Sequence, residues 1–248
     1  MAIQKKRLDL LVLEQHPEWS RTQIQSWILQ GKVHVNNEKI SKAGILVALD
    51  STIECNIEIP KYVSRGGLKL EKALEDFQID VSGLTAIDGG ISTGGFTDCL
   101  LQNGAAKVYG IDVGHGQVHE KLRQDSRVII REKTNLRTLT WRAALVDIVV
   151  LDLSFISLLK VLPAVLASLK PNGIIVALIK PQFEAERHQI GAKGLVKDPL
   201  VHKAVQEKIV AGMAELGSEC QGIIESPIRG NNSGNKEFLG YFIKKQTS

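Results

Sequence analysis

The residues best placed for chemistry are Asp88, Asp112, Asp152 and Lys180, each closing a short apolar run. Asp88 opens Asp88-Gly89-Gly90-Ile91-Ser92-Thr93-Gly94-Gly95-Phe96-Thr97, directly after Leu84 to Ile87 and just before a helical pattern from Phe96 to Leu101. An apolar strand, an acid, a glycine-rich turn and a helix together make a nucleotide-type cofactor loop. Its glycines let the backbone approach a ligand, and the helix points free N–H groups at it. The Gly-x-Gly-x-x-Gly spacing of dinucleotide sites is absent, which argues against a nicotinamide oxidoreductase. S-adenosylmethionine suits such a turn better, because it carries an amino-acid end and no pyrophosphate. On this reading Asp88, Gly90, Ser92, Thr93, Gly94, Gly95 and Phe96 form the cofactor turn. Asp112, about two dozen residues on, is placed to bind both ribose hydroxyls of an adenosine. Asn135 follows the third strand and could read the adenine edge.

Lys180 follows mostly apolar residues and precedes Pro181, so part of its stem must be buried. An amine there, beside Asp152, could handle a substrate proton. The elements that must position these groups alternate from about residue 66 onward. Strand candidates are 84–87, 108–111, 128–130, 148–153, 174–179, 222–225 and 240–243, with helical patterns in most gaps. This predicts a doubly wound parallel sheet whose ligands sit at the carboxyl ends of its strands. The last two candidates have no helix between them and read as an antiparallel hairpin at the sheet edge. Six parallel strands plus one antiparallel strand is the class I, Rossmann-like methyltransferase architecture.

The first sixty residues read as a small α+β unit. Leu8, Leu10, Leu11 and Leu13 share one helix; Ser20 caps a second, carrying Ile24, Trp27 and Ile28, and Gly31 ends it. Val33, Val35 and Ile40 flank the hairpin signal Asn36-Asn37, and Thr52 to Ile59 alternates like a strand. Pro60 and Gly66-Gly67 mark a linker, so the expected division is 1–60, a linker at 61–67, and 68–248.

Of 248 residues, 44% are hydrophobic and 23% charged, an ordinary globular balance. Cys55, Cys99 and Cys220 lack metal-ligand spacing and read as buried free thiols, so no metal site is expected. Met1 to Asp9 is charged and lacks the apolar core of a signal peptide, and no window reaches the ~20 apolar residues of a membrane span. The expectation is a cytoplasmic protein without a membrane partner. The net charge of +4 is unevenly spread. Lys61, Arg65, Lys69 and Lys72 stand against Glu71 alone, and Arg229, Lys236, Lys244 and Lys245 against Glu237 alone. If the fold joins these two segments, they make a surface for a polyanion.

Five strings carry a resemblance: Tyr62-Val63-Ser64-Arg65-Gly66-Gly67-Leu68-Lys69-Leu70, Ser92-Thr93-Gly94-Gly95-Phe96-Thr97-Asp98, Ser154-Phe155-Ile156-Ser157, Lys180-Pro181-Gln182-Phe183-Glu184 and Glu237-Phe238-Leu239. From Arg7 to its end the chain resembles the TlyA (hemolysin A) proteins, ribosomal RNA 2′-O-methyltransferases with an S4-type RNA-binding domain and an FtsJ-like domain. The resemblance implies S-adenosylmethionine as cofactor and ribosomal RNA or its subunits as partner. It also implies a Lys-Asp-Lys-Glu tetrad at Lys69, Asp152, Lys180 and Glu237. Lys69 and Glu237 enter only through it. Arg7, Arg21, Lys32, Lys39, Lys42 and Arg65 are the candidate RNA contacts. Small departures from the family pattern are Gly89 for an apolar residue, His115 for Tyr, Lys236 for an apolar residue and Ile91 for a small one. Ile91 puts a branched side chain into the turn expected to wrap the cofactor.

The expected reaction needs an aligned 2′-hydroxyl and a group that takes or stabilises its proton, for which Lys180 held by Asp152 is the candidate. Base methylation is disfavoured. The position after strand four reads Asp152-Leu153-Ser154-Phe155, without the Pro-Pro-aromatic signature of exocyclic-amine enzymes or a nucleophilic cysteine. Two rivals are a non-catalytic RNA-binding protein on the same fold and a membrane-lysing hemolysin; the second lacks a long basic amphipathic helix.

Overall fold

The computed structural model describes residues 4–57, 60–230 and 234–246, which divide into two compact units, 1–59 and 60–248. In the first, β1 (Lys5–Arg7) leads into α1 (Leu8–Gln15) and α2 (Arg21–Leu29), followed by β2 (Val33–Val35), β3 (Glu38–Ile40), β4 (Leu46–Ala48) and β5 (Ile53–Cys55). Ser20 and Gln23 form a reciprocal capping box at the start of α2. Asn36 and Asn37 both take positive φ (48° and 66°), the turn that matches the twist of a two-residue hairpin. Leu8, Leu11, Val12, Ile24, Ile28, Val33, Val35 and Val47 form the core. The pairing of β1 with β4 was not foreseen, since three-residue strands carry too little periodicity to read. The strand expected over 52–59 is realised only at 53–55; residues 58 and 59 lie outside the described residues.

The second unit runs α3 (Gly66–Asp76), β6 (Thr85–Gly89), α4 (Gly95–Gln102), β7 (Lys107–Ile111), α5 (Glu120–Arg123), β8 (Val128–Arg131), β9 (Val146–Leu151), α6 (Leu162–Ser168), β10 (Leu169–Ile179), α7 (Pro181–Glu184), α8 (Pro199–Glu215), β11 (Ser218–Glu225) and β12 (Phe238–Lys244). The seven strands order as β11-β12-β10-β9-β6-β7-β8. Neighbours from β10 to β8 are parallel, and β12 is antiparallel to both β10 and β11. This is the expected mixed sheet, with the antiparallel strand inserted one place in from the edge. Side-chain alternation feeds both faces. Ile87, Val149, Leu151, Ile175, Ala177 and Ile179 pack with α6 and α8, whereas Ala86, Ile148, Val150, Val176 and Leu178 pack with α3 and α4.

The expected linker at 61–67 needs correction. Tyr62 is buried, the Val63 N–H donates to Asp98 Oδ2 at 2.9 Å, and Gly66 and Gly67 open α3. These glycines serve close approach rather than flexibility. A Cβ on Gly67 would lie 2.3 Å from the Tyr62 ring, and one on Gly95 would lie 2.3 Å from Ser64 Oγ and 2.8 Å from the Gly67 nitrogen. The starts of α3 and α4 therefore meet almost backbone to backbone. Of the thiols, Cys99 is fully buried, which pushes it up to about 12, while Cys55 and Cys220 are half-buried rather than buried.

Candidate active site

β6 and β9 are adjacent, and the chain winds away from them in opposite directions, so their carboxyl ends form the switch-point crevice. The expected cofactor turn is there. Gly90 takes φ +84°, and a Cβ on it would sit 2.5 Å from the Asp152 carbonyl oxygen, so only glycine satisfies both the turn and the approach. Asp112 fixes the same loop: Oδ2 accepts from Ser92 N and Oδ1 from Gly114 N, both at 2.8 Å. Asp88 is buried inside β6. Its Oδ2 accepts from Thr97 N at 3.0 Å and Thr97 Oγ1 at 2.7 Å, and its Oδ1 is buried without a partner among the described residues. Burial pushes this carboxyl up to about 7; Asp152 and Asp112 act in the same sense and the Thr97 bonds oppose.

Two clefts flank the turn. One, about 440 Å³, is lined by Gly90, Ser92, Asp112, Asn135, Asp152 and Phe155 among others. The second, about 380 Å³, is lined by Asp88, Gly90, Ser92, Thr93, Gly95, Phe96, Ser64, Arg65 and Lys69 among others. Gly94 lines neither and acts by turning the chain into α4 with φ +98°. Ile91 also lines the second cleft. It is buried and packs into the core, where a Cβ on Gly110 would lie 2.2 Å from its Cδ1, so a glycine on β7 makes its room. Gly89 has the converse reason: Leu151 Cδ2 would lie 2.7 Å from a Cβ there.

A third cleft, about 510 Å³, shares Gly90, Ser92 and Asp152 with the other two and holds four alternating charges. Glu237 Oε2 accepts from Lys69 Nζ at 2.7 Å, Lys69 Nζ lies 3.9 Å from Asp152 Oδ2, and Asp152 Oδ1 accepts from Lys180 Nζ at 2.6 Å. Lys180 also donates to Ser154 Oγ at 3.0 Å, and Gln182 Nε2 to Glu237 Oε1 at 3.3 Å. Lys69 comes from α3, Asp152 from the end of β9, Lys180 from the end of β10 and Glu237 from the start of β12. Two buried cations and two acids, formally neutral overall, can orient a hydroxyl and handle its proton, their mutual pairing offsetting part of the cost of desolvating them.

The FtsJ-like methyltransferase profile matches residues 62–244, the whole of this sheet and its site. The chain belongs to the FtsJ-like methyltransferase family. The S4 domain profile matches residues 6–53. Similar proteins include the 16S/23S rRNA (cytidine-2′-O)-methyltransferase TlyA of Mycobacterium tuberculosis, 39% identical across 98% of this chain and 91% of the relative. Hemolysin A of Brachyspira hyodysenteriae is 39% identical across 96% and 99%. A solved structure designated a hemolysin, from Streptococcus thermophilus, superposes with TM-score 0.75 at 41% identity, covering 99% of this chain and 90% of that one. Among the described residues no helix is long and apolar enough to cross a membrane, and no group of side chains could hold a metal.

In the FtsJ-like unit part of the charge of the two basic segments is paired within the fold. The segments meet through the Lys69–Glu237 pair, and local acids take up three of the other seven cations. Lys61 pairs with Glu71, Lys72 with Asp76 and Lys236 with Glu225, and Lys244 caps the Leu166 and Leu169 carbonyls. Arg65 is exposed and lines the second cleft. In the S4 domain, Arg7 and Arg21 both bind Asp9, which is 0% exposed. Arg7 donates through Nε and Nη2 (2.9 and 3.0 Å), Arg21 through Nε and Nη2 (3.1 Å each), and Gln25 Nε2 adds a bond at 2.7 Å. These bonds, the Arg7 one first, hold the Asp9 carboxyl well below the usual carboxylate range. Arg7 and Arg21 therefore have a structural task besides any contact with RNA. Lys39 lies along Gly31, where a Cβ would meet its Cε at 1.7 Å; Lys42 is exposed and Lys32 half-buried.

Sequence reasoning missed Phe155. It is 91% exposed, with φ +65°, and lines both the first and third clefts. Its ring lies 5.1 Å from that of Phe183, over which Lys180 Nζ sits at 5.9 Å. A bulky side chain held in a left-handed conformation in solvent, at a cost of about 1–3 kcal/mol, is a feature of a working surface rather than of a core. The string Ser154-Phe155 was visible, but nothing in it signals exposure.

Proposed function

We propose that this protein methylates a ribose 2′-hydroxyl of ribosomal RNA, with S-adenosylmethionine as donor. The observation that carries the reading is the Glu237–Lys69–Asp152–Lys180 chain at the mouth of the glycine-turn clefts. The residues present fit the cofactor. Gly90 leaves a cradle that a Cβ would fill, and Asp88 Oδ1 is a buried acceptor without a partner. Asp88, Gly90, Ser92, Thr93, Gly95 and Phe96 would hold its amino-acid end, with Gly94 shaping their turn; Asp112 would hold its ribose and Asn135 its adenine. When bound, S-adenosylmethionine supplies a methyl group already activated by the positive sulfur.

The chain's own groups do the rest. Asp152 holds the Lys180 amine against the third cleft, and Lys180 takes or stabilises the proton leaving the 2′-oxygen. Lys69 and Glu237 complete the polar ring that fixes the ribose. Phe155 offers an open face on which a base drawn out of its stack can rest. The S4 domain supplies phosphate contacts through Lys32, Lys39 and Lys42, with Arg7 and Arg21 fixed beside Asp9 and Arg65 at the cleft rim. A ribosomal substrate would place the working protein in the cytoplasm.

The test is transfer of labelled methyl from S-adenosylmethionine to ribosomal RNA and intact subunits, comparing wild type with Lys180→Ala. Label at one alkali-resistant nucleotide, reduced about 10²- to 10⁴-fold in the variant with cofactor affinity unchanged, is the expected result. Cofactor binding without transfer to any subunit would replace the reading with an RNA-binding protein on a methyltransferase fold.

A further inference from the structure

The segment after Asp152 has no regular structure until the short turn at Leu158–Lys160, yet it keeps Phe155 in a costly left-handed conformation. Something must hold it. Glu184, the last residue of α7, is 4% exposed and borders none of the three clefts. Its Oε1 accepts from the Leu158 N–H at 2.7 Å, and its Oε2 is buried without a partner among the described residues. From the other side, Lys208 Nζ of α8 donates to the Glu184 carbonyl oxygen at 2.7 Å. Burial pushes the Glu184 carboxyl above the usual carboxylate range, against the Leu158 N–H that favours its charge. A buried carboxyl with one satisfied oxygen is a cost to the fold, and a four-residue helix has no need of it.

The cost falls where two functional turns meet. α7 directly follows Lys180, and the segment bound by Glu184 carries Ser154 and Phe155. The other ties between these turns, Lys180–Ser154 at 3.0 Å and Phe183–Phe155 at 5.1 Å, involve residues that line the substrate cleft. Glu184 supplies the tie away from it. We propose that Glu184 is a positioning residue that clasps the 154–158 segment to the Lys180 turn, so that Phe155 and Lys180 keep one spacing for the target nucleotide. This rests on reading the site as an RNA ribose methyltransferase.

The experiment compares Glu184→Gln, Glu184→Asp and Glu184→Ala in the full chain. Each is measured by steady-state methyl transfer to ribosomal RNA and by hydrogen exchange over residues 153–158. Gln keeps an acceptor within reach of the Leu158 N–H, Asp is one methylene short and Ala has none. The expected result is a kcat lowered roughly tenfold or more in Glu184→Ala, with exchange faster across 153–158 while β9 and β10 stay protected. Glu184→Gln should stay close to wild type and Glu184→Asp fall between. Should Glu184→Ala not fold, the Asp and Gln variants carry the same comparison. Unchanged kcat and exchange in the folded Ala or Asp variant would overturn the clasp, as would a Gln variant as impaired as Ala. Absence of methyl transfer by wild type would instead overturn the functional reading, leaving the exchange comparison to decide the clasp.

Discussion

At the scale of single residues, the third cleft couples activity to stability. Glu237 is buried and has Lys69 as its ion-pair partner at 2.7 Å. Lys69→Met should therefore lose stability as well as methyl transfer, by about 3–5 kcal/mol, because it leaves an uncompensated buried charge. Adding Glu237→Gln should recover most of that stability and none of the activity; urea titrations of the two single variants and the double variant measure it. Asp88 makes a second prediction. Its carboxyl lies at about 7 in the fold against an ordinary 3.8, so the folded state holds a proton that the unfolded chain has released. Its contribution to stability is accordingly fullest below pH about 4, falls as pH rises to about 7 and is flat above, a loss of up to roughly 4 kcal/mol. Asp88→Asn should flatten this fall, which unfolding titrations across that window would show; an equal fall in the variant would assign it elsewhere.

At the scale of elements, Lys69 reaches Glu237 only because α3 starts where it does. Gly67→Ala places a Cβ 2.3 Å from the Tyr62 ring, so the helix start must shift and carry Lys69 with it. Methyl transfer should fall, with about 1–3 kcal/mol of stability. Gly66→Ala next to it meets only Ser64 Oγ at 3.4 Å, an ordinary contact, and should be tolerated. Thermal melts and activity of the two variants separate close approach from flexibility as the reason for this glycine pair. A linker reading of 61–67 predicts equal effects. The same physics shows how the branched side chain of Ile91 is accommodated beside the turn: its room comes from Gly110, on another strand.

At the scale of the whole molecule, RNA affinity should depend steeply on salt, because phosphate contacts release counterions. Lys32→Ala and Lys42→Ala should each lower the log–log salt slope by about one without changing stability. Arg21→Ala should lower the slope and also destabilise the S4 domain, because buried Asp9 loses one of its two guanidinium partners. Filter binding across a salt series, alongside unfolding of each variant, distinguishes contact residues from those that also hold the domain.

The parts of this protein that the sequence determined are those with a local physical cause. Short apolar runs along 84–87, 148–153 and 174–179 mark strands buried on both faces, and Asp88, Asp152 and Lys180 mark the ends of those runs, at the carboxyl side of the sheet where ligands bind. The Ser20 cap and the Asn36-Asn37 turn are local for the same reason. The tertiary structure decided what depends on pairs distant in the chain. Lys69 and Glu237, 168 residues apart, could be nominated only by resemblance, and the fold places them 2.7 Å from each other. The exposure of Phe155, the buried bond of Glu184, the pairing of Arg7 and Arg21 with Asp9 and the partly paired basic segments have the same origin. Burial and charge pairing belong to contacts across the fold, and a linear pattern records only the periodicity of the face a residue sits on.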